Sequence, residues 1–86
     1  MKLYAVYDAA ANAFMPPLAF RAHTEAVRSF KHACVDPEHM FNKSLVDYSL
    51  WYIGEYNEAS ASLTLITPPE CLAKGEEFKA ALAGNS

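Results

Sequence analysis

Four aromatic side chains are the residues of this 86-residue chain whose types could bind a nucleic acid by stacking. Tyr4, Tyr7, Trp51 and Tyr52 lie in two predicted strands that we expect to be neighbours. Aromatic rings presented together on a sheet form a platform for unpaired bases, and each stacked base contributes roughly 1–3 kcal/mol. The same rings could instead fill the core and a dimer interface, and the sequence leaves both interpretations open.

Basic side chains concentrate between two predicted hairpins, where they could contact phosphates. These residues are Arg21, Arg28, Lys31, His32 and Lys43. Arg28, Lys31 and His32 occupy neighbouring positions on one face of a predicted helix, so they could follow a phosphate backbone together. A solvated outer helix face explains the same pattern. The net charge of −3 counts against tight nonspecific nucleic-acid binding, because that binding depends on neutralising phosphates with Lys and Arg.

No group of residues has the spacing of a metal or catalytic site. Three histidines and a cysteine carry donor atoms for zinc: His23, His32, His39 and Cys34. No pair of them matches the spacing of a known zinc site. Glu76 and Glu77 are adjacent on a predicted helix and therefore do not face each other as a general acid and base must. We expect no catalytic residues, no metal, no cofactor and no enzymatic activity.

The cysteines and the start of the chain indicate the compartment. Cys34 and Cys71 lie far apart on predicted apolar helical faces, which favours buried, reduced thiols over a disulfide. Met1 and Lys2 lead directly into a predicted strand and do not resemble a signal peptide. No apolar run reaches the roughly 18 residues that span a bilayer. We therefore expect a soluble protein of a reducing cytoplasm, without a membrane partner.

The elements that must position these residues begin with the strongest predicted strand, residues 47–56. Aromatic and β-branched residues fill it, no proline interrupts it, and a polar turn follows it. Both alternating sets are apolar, with Leu50, Tyr52 and Tyr56 on one face and Trp51 and Ile53 on the other. Something must therefore cover both faces of this strand.

A second strand is predicted at residues 2–8, and residues 14–21 return beside it after a loop. In the returning strand, Phe14, Leu18 and Phe20 are expected to share one face. Its two prolines cannot donate ladder hydrogen bonds. We therefore expect this segment to be an edge strand or a bulged strand.

The first predicted helix begins with Thr24 as its cap and runs to about Val35. Its buried stripe is expected to comprise Ala26, Val27, Phe30, Ala33 and Cys34. The Asp36-Pro37 step ends it, because proline pushes the preceding residue out of helical geometry. Residues 37–43 then form a connection with one helical turn.

The second predicted helix follows a strand at residues 61–66. Thr67 can cap this helix, with Pro68 at its first position and Glu70 where a capping box requires an acid. The side chains expected to face the core are Cys71, Leu72, Phe78, Ala81 and Leu82. Gly75 costs about 1 kcal/mol relative to Ala, unless a close backbone approach requires it.

The resulting order is ββαββα in an α+β fold. Two hairpin–helix units join into a four-stranded, mostly antiparallel sheet with both helices on one face. We expect residues 1–83 to form a single domain and residues 84–86 a frayed tail. The second face of such a sheet remains exposed although its side chains are apolar. An apolar patch of this kind usually marks a partner surface, so we expect a homodimer.

Several segments carry a family resemblance: residues 1–8 (MKLYAVYD), 13–17 (AFMPP), 25–30 (EAVRSF), 36–37 (DP), 47–50 (DYSL) and 53–56 (IGEY). In order and spacing they resemble the small nonstructural protein of gokushovirus-type microviruses, which are tailless phages with a circular single-stranded DNA genome. The resemblance implies a protein that is made in the host bacterial cytoplasm and is absent from the mature virion. It also implies a role in DNA binding, or in the switch to single-stranded genome synthesis and packaging.

Two functions remain open. One is an accessory protein that binds single-stranded DNA through the aromatic and basic residues during genome synthesis or packaging. The other is a dimeric adaptor that does not bind DNA and recruits a phage or host replication or capsid-assembly protein. The acidic net charge favours the adaptor, whereas the phage resemblance and the aromatic strands favour DNA binding.

Overall fold

A computed structural model of the chain describes residues 1–80. Over these residues the strands are β1 (Lys2–Asp8), β2 (Ala13–Phe14), β3 (Leu18–Phe20), β4 (Tyr48–Asn57) and β5 (Ser62–Lys74). The helical segments are the α-helix α1 (His23–Val35) and two 3₁₀ helices, Met40–Asp47 and Gly75–Phe78. This arrangement confirms the predicted α+β class and follows the ββαββα order approximately. The predicted tail at residues 84–86 lies outside the described residues.

The strands form one antiparallel sheet in the order β2–β1–β4–β5, and β3 also pairs with β1. β2 and β3 are two halves of the predicted returning strand. They are separated at Pro16 and Pro17, which have no amide hydrogen to donate to the ladder. Of the two predicted alternatives, an edge strand or a bulged strand, the edge strand is therefore confirmed, and its division into two halves is an additional finding.

The proline interruption also shifts the register between the two halves. Phe14 lies opposite Tyr7, whereas Leu18 lies opposite Tyr4. Directly opposed residues share a face, and Tyr4 and Tyr7 are an odd number of positions apart on β1, so they point to opposite faces. The prediction that Phe14 shares a face with Leu18 and Phe20 is therefore wrong.

The core lies between the sheet and the helical segments. Its buried side chains from the strands are Tyr4, Val6, Tyr48, Leu50 and Ala73, and those from the helices are Ala26, Phe30, Cys34, Phe41 and Leu45. The α1 members recur every four residues and so form one stripe along the helix. Phe30 of α1 and Phe78 of the last 3₁₀ helix have ring centroids 6.1 Å apart. α1 and the last 3₁₀ helix thus lie on the same face of the sheet, as predicted for the two helices.

The ends of α1 differ in how well the sequence predicted them. The helix begins at His23, with Ala22 in extended geometry at the N-cap and without a side-chain cap, so Thr24 is not the cap. At the other end, Asp36 has left helical geometry, with φ −78° and ψ 114°. This ending is the one expected for a residue that precedes Pro37.

The predicted start of the second helix is wrong. β5 continues through residues 67–70, because Glu70 and Cys71 pair with Tyr52 and Trp51 of β4. The prolines are tolerated in an edge strand, and the pairing is interrupted between Leu65 and Glu70, where they lie. Cys71 therefore belongs to a strand and does not face the core from a helix. The predicted core positions Ala81 and Leu82 lie outside the described residues.

The helical turn begins instead at Gly75. The Glu77 carboxylate accepts a hydrogen bond from the Lys74 backbone amide at 2.8 Å, so Glu77 has the capping role that was expected of Glu70. A Cβ atom on Gly75 would lie 2.3 Å from the carbonyl oxygen of Leu45. The close backbone approach that would justify a glycine here is therefore present.

Candidate nucleic-acid interface

A basic hollow runs along one side of α1. It has a volume of about 560 Å³ and is lined by His23, Thr24, Val27, Arg28, Lys31 and His32. These positions recur at intervals of four residues and therefore form one side of the helix. The neighbouring stripe, with Phe30 at its centre, faces the core. We call this hollow the α1 groove.

The α1 groove is positively charged. Arg28 and Lys31 are exposed and carry full charges, and no carboxylate belongs to the groove lining. The Nζ atom of Lys31 lies 6.0 Å from the ring centroid of Phe78, which is a cation–π contact. This contact keeps the ammonium group beside the groove. The groove lining therefore offers anions two cationic side chains, although the chain as a whole is acidic.

One end of the α1 groove is aromatic. The rings of His23 and Tyr52 meet edge to face, with centroids 4.5 Å apart. The Nδ1 atom of His23 lies 2.7 Å from the hydroxyl oxygen of Tyr4, and this hydrogen bond holds the imidazole in place. Tyr52 is partly buried, and the Lys2 ammonium lies 5.7 Å from its ring centroid, so only the remaining exposed part of the residue could contact a base.

Charged groups of the sheet surround the Tyr52 hydroxyl. It donates a hydrogen bond to the Glu55 carboxylate, and the Lys2 ammonium lies 3.1 Å from the same carboxylate oxygen. The bond to Glu55, burial and the negative charges of Glu55 and Glu70 raise the pKa of Tyr52 to about 12. The bonds from Tyr52 and Lys2 lower the pKa of Glu55. Negative charge beside Tyr52 therefore directs phosphates toward the Arg28 end of the groove.

The predicted platform of four rings does not form, because the sheet separates its members. Tyr4 and Tyr52 lie on the face covered by the helices, whereas Tyr7 and Trp51 lie on the opposite face. Neighbouring residues of a strand point to opposite sides, so Trp51 and Tyr52 cannot share a surface. Tyr4 is completely buried and therefore offers no ring surface to a ligand.

The second face of the sheet carries its own aromatic cluster. The rings of Tyr7 and Phe14 have centroids 4.8 Å apart, and those of Phe14 and Trp51 are 6.2 Å apart. The Nε1 atom of Trp51 donates a hydrogen bond of 2.8 Å to the Ser49 hydroxyl. Phe14 was missed as a member of this cluster, because its face depends on the register shift at the prolines. Its position opposite Tyr7 across a short hairpin was the available signal.

The predicted basic residues also separate. Arg28 and Lys31 share the α1 groove, as their helical spacing predicted. Arg21 is exposed in the bend between β3 and α1 and does not line the groove. Lys43 lies beyond the end of α1, where its Nζ atom donates a hydrogen bond of 3.0 Å to the carbonyl of Pro37. The sequence indicates His23 only as a zinc donor, because residue spacing does not reveal its contact with Tyr52.

The family of the chain follows from a comparison with known sequence families. Residues 1–78 match the family described as Phage ORF5 protein, and this range spans all the strands and α1. The chain belongs to the phage ORF5 protein family. Membership confirms the phage origin that the resemblance implied and indicates a phage accessory protein; the narrower microvirus assignment stays a prediction. No curated protein and no solved structure matches the chain.

Over residues 1–80 of this phage ORF5 family protein, the structure also bears on metal binding, membrane spanning and cysteine reactivity. These residues contain no cluster of three or more His, Cys, Asp and Glu side chains that could hold a metal ion. No helix among them is long and apolar enough to cross a membrane. Cys34 and Cys71 are free thiols. Burial raises the pKa of Cys34 to about 11, so it is a neutral thiol and a poor nucleophile at neutral pH.

Proposed function

We propose that this phage protein is a non-enzymatic accessory protein that binds single-stranded DNA in the α1 groove. The observation that carries the proposal is the composition of the groove. Arg28, Lys31 and two histidines line it without a carboxylate, although acidic residues outnumber basic ones in the chain. The groove also leads to the partly buried Tyr52, whose ring packs on His23. Cationic side chains beside an aromatic ring are the elements that single-strand-binding surfaces combine.

In this function Arg28 and Lys31 contact phosphates, and the accessible part of Tyr52 stacks on a base. From His23 to His32 the helix rises by about 14 Å, at ~1.5 Å per residue. At ~3.4 Å per nucleotide, this length corresponds to about four stacked nucleotides. So short a site, with few cations, predicts weak binding, and phosphate contacts and base stacking carry little sequence preference.

The family resemblance supplies the setting of the proposal. Within it, the protein acts in the cytoplasm of an infected bacterium, during single-stranded genome synthesis or packaging of a gokushovirus-type microvirus. It is then absent from the mature virion. A phage or host replication or assembly protein is a further partner in this setting.

The second candidate function is the dimeric adaptor that does not bind DNA. It is favoured by the uncovered apolar face of the sheet, where Phe14, Leu63 and Leu65 are 49%, 62% and 68% exposed. A large apolar surface of this kind is typical of protein contacts. The two functions differ in whether the α1 groove binds DNA, so a test of the groove separates them.

The test is fluorescence anisotropy of a labelled single-stranded oligonucleotide, titrated with protein at about 50 mM and about 200 mM salt. The variant Arg28→Ala with Lys31→Ala removes the two full charges of the groove, and alanine preserves the helix. The matched control is Lys43→Ala with Lys79→Ala, which removes two charges from a different surface hollow. We expect the groove variant to weaken binding at low salt and the control to bind like the wild type. Salt-independent binding, or equal losses in both variants, would overturn the proposal.

A further inference from the structure

The face of the sheet opposite the helices is mainly apolar. We call it the outer face; its side chains, assigned from strand register, are Leu3, Ala5, Tyr7, Phe14, Ala19, Ser49, Trp51, Tyr56, Leu63, Leu65, Cys71 and Lys74. In the β4–β5 hairpin the alternation is clean. Ser62 and Thr64 point to the helix side, whereas Leu63 and Leu65 point outward.

Charged side chains of the strands avoid the outer face. Lys2 pairs with Glu55, and Glu70 pairs with Tyr52, and these pairs lie on the helix side. Among the described strand residues, the outer face has one charge, Lys74, at the end of β5. A nucleic acid would therefore find almost no cation on this surface. A second copy of the same surface would meet no charge repulsion at its centre.

The outer face is also large enough for a stable interface. The ten residues of β4 span about 34 Å at ~3.4 Å per residue, and four strands span about 19 Å at ~4.8 Å per strand. The flat outline is therefore on the order of 600 Å², and protruding side chains add to it. A standard interface takes ~800 Å² from each partner, so the two areas are of similar size.

We propose that the outer face is the interface of a homodimer, in which the outer faces of two copies pack against each other. Two sheets pack face to face about 10 Å apart, and their inner side chains form a common core. The aromatic cluster of Tyr7, Phe14 and Trp51 would lie in this core, together with the exposed leucines of the β4–β5 hairpin. The proposal goes beyond DNA binding, and its test uses no DNA.

The dimer is tested with the variant Leu63→Lys with Leu65→Lys. Both leucines are more than half exposed, so the protomer should fold without them. The matched control is Ser62→Lys with Thr64→Lys, which adds the same charges to the other side of the same hairpin segment. Sedimentation velocity at about 50 µM gives the mass, because dimer formation depends on protein concentration. Circular dichroism checks that each variant is folded.

We expect the wild type and the control to sediment at twice the 9.5 kDa mass of the chain. The variant Leu63→Lys with Leu65→Lys should have a dimer dissociation constant at least about a hundredfold higher, since four lysines would replace buried leucines in each dimer. Wild-type protein at the monomer mass would overturn the proposal. The outer face would then be a contact surface for a different protein. A Leu63→Lys with Leu65→Lys variant that stays dimeric would equally overturn the proposal. It would indicate a dimer that pairs through the edge of β5, which would tolerate the lysines.

Trp51 offers a second measurement that requires no variant. It is the single tryptophan of the chain and lies on the outer face. Its emission should shift to longer wavelength when the wild type is diluted from about 50 µM to well below the dissociation constant. Constant emission across a range in which the mass halves would contradict the placement of Trp51 in the interface.

Discussion

At the scale of single residues, Tyr52 connects the sheet to the α1 groove. Its ring packs against His23, and its hydroxyl donates to the Glu55 carboxylate. That bond requires the neutral phenol, and the pKa of Tyr52 is raised from 10.0 to about 12. The folded protein therefore keeps a proton that the unfolded chain releases as the solution becomes alkaline.

This difference predicts a loss of stability at high pH. A raised pKa contributes stability that is present below the unfolded value and is lost as the pH rises through the folded value. The free energy of unfolding should therefore fall between about pH 10 and about pH 12, and Tyr52→Phe should make this fall smaller. Urea denaturation across this pH range measures the effect. Tyr56→Phe, on the other face of β4, should keep the wild-type pH dependence, and identical profiles for the two variants would contradict the prediction.

The residues of the candidate site were only partly predictable. Arg28 and Lys31 could be grouped from the sequence, because helical spacing alone places them on one side. The face of β4 that the helices cover could not be assigned, since both alternating sets are apolar. The register shift at Ile53 was also unpredicted, and it places Tyr56 on the face of Trp51 instead of that of Tyr52. The pairing of His23 with Tyr52 joins residues far apart in the chain, and local patterns carry no information about such contacts.

At the scale of elements, most of the fold was predictable because aromatic and β-branched residues fill the main strand and the apolar residues of α1 recur at helical spacing. The exception is residues 67–70, where a threonine, two prolines and a glutamate resemble a helix start. The structure places them in β5, because Glu70 and Cys71 gain backbone pairing with β4. Long-range pairing of this kind overrides a local capping signal, and the sequence of the segment alone does not reveal it.

Gly75 gives a stability prediction at this scale. Alanine normally favours a helical turn over glycine, but its Cβ atom would lie 2.3 Å from the Leu45 carbonyl oxygen. We expect Gly75→Ala to lower the free energy of unfolding by about 1–3 kcal/mol, as overpacked sites typically do. Urea denaturation measures the change. Glu76→Ala, at an exposed neighbouring position, should change stability by less than about 0.5 kcal/mol. A Gly75→Ala variant as stable as the wild type would refute the close approach.

At the scale of the whole molecule, the two proposals together define a geometry. Outer faces packed against each other place both helical layers on the outside of the dimer. The two α1 grooves then point away from each other, so one dimer has two separate sites for single-stranded DNA. Two weak, short sites on one particle bind a long strand more tightly than either site does alone.

This geometry predicts that the dimer bridges two DNA segments. A mixture of donor-labelled and acceptor-labelled oligonucleotides should show energy transfer when wild-type protein is added. The Leu63→Lys and Leu65→Lys variant should bind the oligonucleotides as a monomer without producing transfer. The Ser62→Lys and Thr64→Lys control should retain transfer. Equal transfer in the two variants would show that bridging does not depend on the outer face.

The most direct test of DNA binding in the α1 groove is the salt dependence of single-strand affinity in the two alanine double variants. Each phosphate contact contributes about 0.7 to the slope of log affinity against log salt concentration for single strands. Because this slope is negative, loss of Arg28 and Lys31 should make it less steep by about 1.4, whereas loss of Lys43 and Lys79 should leave it unchanged. An unchanged slope in the groove variant would contradict DNA binding at α1 and leave the adaptor function in its place.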